Sequence, residues 1–221
     1  MNKREMRANL RSLIDDMVEP YGWEDLTLDR YISEGMDKFC EDTGYFVDFK
    51  NFPIVTIVDE PDYDFTTDRI IEVLDLWNMD TGLKLTQFGE DNRPEYIPSL
   101  DVQQTVSYGW QTDQTTGMIT LFPTPKIVSN LKARVWRYAL VSFEDMTEDA
   151  TPELPSRFHR APIEYAAGMA YTHHDRERAD LPKARDHFNM YAQYVVDGKK
   201  AFQRVRAAHP RLVPNQIYNF R

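Results

Sequence analysis

The residues best suited to chemistry in this 221-residue chain are a His173-His174-Asp175 run with His187 downstream, several adjacent acid pairs, and a single cysteine. Metal ligation would need imidazoles that converge. Adjacent histidines on a helix point about 100° apart, so His173 and His174 cannot share an ion as an i, i+4 pair can. His159 and His209 have no carboxylate or thiol partner by spacing. Asp15-Asp16, Glu24-Asp25, Asp59-Glu60 and Glu144-Asp145 are neighbours in sequence. General acid–base work needs two acids held across a pocket in different environments, and such pairs read as solvated charge. Cys40 follows Met36 at helical spacing and reads as core packing, not a nucleophile. The nine glycines form neither a GxGxxG nor a GxxxxGK[ST] loop, and no GxSxG occurs. No catalytic residue, metal site or cofactor site is predicted, although a small carboxylate-dependent hydrolase stays open as a lesser alternative.

Aromatic residues are more informative, at 13% of the chain. Most fall in periodic segments and read as core. Tyr108 and Trp110 fall in an irregular polar stretch, and Tyr218 and Phe220 fall in the last residues, so these four ask for another explanation. The net charge of −10 is unevenly spread: residues 1–156 carry 30 acidic and 14 basic side chains, whereas residues 157–221 carry 6 and 12. From Gly198 onward there are six basic residues and no acid. That segment would be drawn to an acidic partner or to nucleic acid, which keeps a nucleic-acid-binding accessory protein as an alternative. The acidic remainder argues against duplex binding by the body. One cysteine excludes an intramolecular disulfide and fits a reducing cytoplasm. No apolar run suggests a signal peptide or a membrane span, so a soluble chain is expected.

The elements that must position these residues follow from periodicity. Met6, Leu10, Leu13, Ile14 and Met17 recur at threes and fours, predicting an amphipathic helix over residues 3–18. Pro20 and Gly22 break it. Thr27 is suited to cap a second helix over residues 28–42, with Leu28, Tyr31, Ile32, Met36, Phe39 and Cys40 on one side and Thr43-Gly44 ending it. The period then shifts to two: strands are expected over residues 54–58, 69–77, 83–85, 118–122 and 131–138. In the last of these Lys132, Arg134 and Arg137 are expected to face solvent. Thr81-Gly82 marks a hairpin. Residues 86–117 read as a long excursion, with a short helix possible over 99–108. Leu154-Pro155 reopens helix, and a second stretch covers residues 181–206. Beyond it His209-Pro210 and Pro214 deny helix, so residues 207–221 are expected to be an extended arm.

The expected fold class is therefore α+β: a four-helix bundle from N- and C-terminal helical hairpins (residues 1–46 and 151–206), an inserted antiparallel β lobe (47–150), and an extended C-terminal docking arm (207–221). Arg211 and Arg221 would pair with acids of a partner, while Leu212, Ile217, Tyr218 and Phe220 would supply its apolar contacts.

The stretch from Trp23 through Phe39 is similar to the W-x-D-x-x-L-x-x-x-I-N-x-A opening of many tailed-phage head-to-tail adaptor proteins. The strand pair over residues 70–85, the Leu121-Phe122-Pro123-Thr124-Pro125 turn, the strand over 135–138, and Leu154-Pro155 before a Tyr-Ala-Ala helix resemble the same family in order. Ser33 and Gly35 stand where the family often has Asn and Ala. The resemblance implies a homo-oligomeric ring, commonly of twelve copies, at the virion neck below the portal. The C-terminal arm would reach into the portal protein, tail or nozzle proteins would bind elsewhere, and genome DNA would pass through the lumen without specific binding. It implies no cofactor, no membrane, and synthesis in the host bacterial cytoplasm.

Overall fold

The computed structural model describes residues 1–49, 52–64, 69–89, 106–112, 117–172 and 179–208, with side chains described as far as residue 203. The chain forms two compact units: residues 1–45 with 143–221, and residues 46–142. The described residues hold four α-helices, all in the first unit, and strands, all in the second. The class is α+β.

Helix α1 runs over Lys3–Leu13, opened by a capping box in which Asn2 accepts the Glu5 N–H and Glu5 accepts the Asn2 N–H. It stops five residues short of the span its periodicity predicts. Asp15 takes a left-handed backbone, and the Asp16 carboxylate accepts N–H bonds from Gly22 and Trp23 at 2.6 and 3.2 Å, closing a loop that contains Pro20. Helix α2 spans Asp25–Thr43, with Glu24 at the N-cap and Gly44 closing it in the left-handed region at φ 64°. Thr27 lies inside the first turn of that helix, so it is not the cap.

A 3₁₀ turn at Ser156–Phe158 leads into α3, Arg160–Thr172, and α4 spans Leu181–Ala208. The long apolar faces of α2, α3 and α4 meet. Tyr165 of α3 packs edge-on against Phe188 and Tyr191 of α4, with centroids 5.8 and 5.3 Å apart. The Tyr191 hydroxyl donates to Asp42 of α2 at 2.8 Å, and burial together with that carboxylate raises its pKa above the usual tyrosine range. Gly35 of α2 lets the helices approach closely: a Cβ there would stand 2.8 Å from the Pro162 carbonyl oxygen of α3.

The second unit contains two sheets. In the first, β9 (Asn130–Arg137) lies between β4 (Ile70–Asn78) and the short strands β1 (Val47–Asp48) and β2 (Pro53–Val55), with β5 (Leu83–Lys84) beyond β4. In the second, the order is β3 (Asp62–Tyr63), β8 (Ile119–Phe122), β7 (Gly109–Thr112), β6 (Thr86–Gln87). Pairing is antiparallel except between β6 and β7, which run parallel and so depart from the all-antiparallel lobe expected. The unit runs from Phe46 to Ser142.

Side chains of both sheets share one core, including Leu76, Trp110, Ile119, Leu121 and Val135. Register irregularities in β4, between Ile70 and Glu72 and between Val73 and Asp75, break the two-residue alternation, so Asp75 and Leu76 are both buried. Asp75 is balanced by Lys84 and Arg134. Arg137 is buried, not solvent-facing, because it pairs with Asp48 at 3.2 Å and lies over the Phe46 ring. The strand expected over residues 54–58 pairs only as far as Val55. Beyond it Thr56 and Ser129 exchange bonds, and Asp59 turns at φ 65°.

Candidate assembly surfaces

The residues with chemical potential are placed apart from one another. Cys40 is buried in α2. His187 binds Glu164, a buried acid of α3, at 2.7 Å and stacks on Tyr171. His173, His174 and Asp175 lie outside the described residues, and among the described residues no group of His, Cys, Asp and Glu is arranged to hold a metal ion. Trp110, expected in an irregular stretch, is fully buried in β7, and its indole N–H has no acceptor among the described residues. The short helix expected near residues 99–108 falls largely outside the described residues. Tyr108 is partly exposed and packs edge-on against Phe88. Ala207 and Ala208 complete α4. The predicted arm contacts Arg211, Leu212, Ile217, Tyr218, Phe220 and Arg221 all lie outside the described residues.

A set of charged groups links α1, α2 and residues 143–150. Lys3, Arg7 and Arg11, four residues apart on α1, face Asp25 and Asp29, four apart on α2. Arg7 donates to both oxygens of Asp29 at 2.7 and 2.6 Å and to Glu148 at 2.8 Å. These bonds raise its pKa further above that of a free guanidinium. Lys3 donates to the carbonyls of Glu144 and Met146 at 2.8 and 3.1 Å, which ties residues 143–150 to α1. The four-residue cation ladder beside Met6 and Leu10 was the available signal for this network. Charge alone reads as solvated face, and the sequence reading missed it.

His159 is a fully buried titratable group, at 0% exposure. Its Nε2–H donates to the Leu154 carbonyl at 2.6 Å, and its Nδ1 lies 3.0 Å from the Met1 amine. Burial lowers its pKa, and the nearby ammonium adds to the effect. A histidine whose folded pKa lies below its unfolded value costs stability once the unfolded chain can take the proton. Stability should therefore be full above pH ~6.5 and fall as pH drops below it. Urea midpoints at pH 7.5 and 5.0 check this: the loss should shrink in His159→Gln, and an equal loss in both proteins would refute the assignment.

Among the described residues, exposed apolar side chains gather in two places, among others. In the β unit, Val55, Ile57, Val58, Ile127 and Val128 are exposed on two segments laced together by Thr56–Ser129 and Asp59–Pro125 backbone bonds. In the helical unit, the connection between α1 and α2 exposes Met17 (61%), Val18 (80%) and Tyr21, and a cavity of about 330 Å³ nearby has a mixed wall of Ile14, Asp15, Asp16, Trp23, Ala170, Tyr171 and Lys183. Clustered exposed apolar side chains on folded units mark contact sites.

A family model described as SU10 adaptor protein matches residues 1–214, and the chain belongs to that family of phage head-to-tail adaptors. No curated protein matches the chain. Family membership gives it a structural adaptor role in a phage virion, with portal and tail components as the implied neighbours. None of the described helices is long and apolar enough to cross a membrane.

Proposed function

We propose that this chain forms a ring, of twelve copies, at the neck of the virion. The ring joins the portal to the tail and lets DNA pass through its lumen. It works by binding, not by catalysis. In this reading the helices form a four-helix bundle interrupted by the β lobe, and residues 207–221 dock on the portal. The segment from Gly198, with six basic side chains and no acid, is the observation that carries the docking assignment. Residues 198–208 of this segment, with Lys199, Lys200, Arg204 and Arg206, belong to the 28-residue helix α4, and Arg211 and Arg221 follow in sequence. Arg211 and Arg221 would pair with portal acids, while Leu212, Ile217, Tyr218 and Phe220 would enter its grooves. The acidic body supports passage of DNA, since an acidic lumen wall would not retain a polyanion.

Deleting residues 209–221 tests the reading. The truncated protein should keep its circular dichroism and melting temperature yet lose binding to DNA-filled heads, at least tenfold in a sedimentation assay. Unchanged binding would sink the docking assignment.

A further inference from the structure

We draw no further inference here: the strongest candidate, the exposed apolar patch of Val55, Ile57, Val58, Ile127 and Val128 beside strand β2 of the β unit, is an unpartnered surface, and nothing in the structure shows what covers it.

Discussion

Asp29→Ala is expected to lower stability by about 3–5 kcal/mol, the range seen when one member of a buried ion group is removed. The Asp29 side chain is 6% exposed and accepts from Arg7 through both oxygens, with Lys3 Nζ at 3.2 Å. Deleting it takes from Arg7 its bidentate partner, leaving Glu148 and Asp25, and from Lys3 its nearest carboxylate, leaving the Glu144 and Met146 carbonyls, and both cations are nearly covered. Against a total stability of roughly 5–15 kcal/mol this is a large fraction. A fall in melting temperature of about 10 °C or more should follow. Asp29→Asn, which keeps the acceptor oxygen and the shape, should cost less. Urea denaturation of the three proteins measures both effects, and a loss below about 1 kcal/mol for Asp29→Ala would mean that the pairs behave as solvent-screened surface bridges.

Gly35→Ala is the second large effect, and its sign opposes helix propensity. In an exposed helix interior this change stabilises by about 1 kcal/mol. Here the added methyl would meet backbone, the Pro162 carbonyl oxygen at 2.8 Å and its Cα at 3.0 Å, and neither can rotate aside. The helices must separate along the seam where α2 packs on α3, at a net cost of about 1–3 kcal/mol, and Gly35→Val should cost more. Gly168→Ala provides the contrast. Its Cβ would meet only the Phe188 ring, at 2.8–2.9 Å, and a side chain can shift. Gly35→Ala should therefore be the more damaging of the two in chemical denaturation; the reverse order would show that the α2–α3 seam gives way easily.

How far the fold could be read beforehand depended on which force shaped each element. Long periodic helices were readable because burial of a continuous stripe dominates them: Leu28, Ile32, Met36 and Phe39 recur at helical spacing and are all buried. Strand existence was readable from β-branched runs. Strand orientation was not, where irregularities in β4 shift the register and put Asp75 beside Leu76 in the interior. Trp110 was misread because its neighbours in sequence are Gly, Ser, Gln and Thr, while its burial comes from a strand whose partners lie more than ten residues away. The end of α1 was misread because Asp16, by accepting Gly22 and Trp23 N–H bonds, overrides the apolar period at Met17. The candidate surfaces were the least readable part. Val18 and Val55 sit in sequence like ordinary apolar residues, and only the tertiary structure shows that nothing in the described chain covers them.

The joining of residues 1–45 with residues 143–221 in one unit has a consequence for the order of events on the ribosome. The apolar face of α2 is complete once residue 43 has emerged, yet α3, which covers it, begins at residue 160. At roughly 5–20 residues per second the wait lasts about 6–25 s. Throughout it residues 46–142 can finish their own core, whereas α1 and α2 stand as a half-made sandwich. The α1–α2 ion ladder closes within residues 3–29, so it can form during that interval and hold the first pair of helices in register until the second arrives.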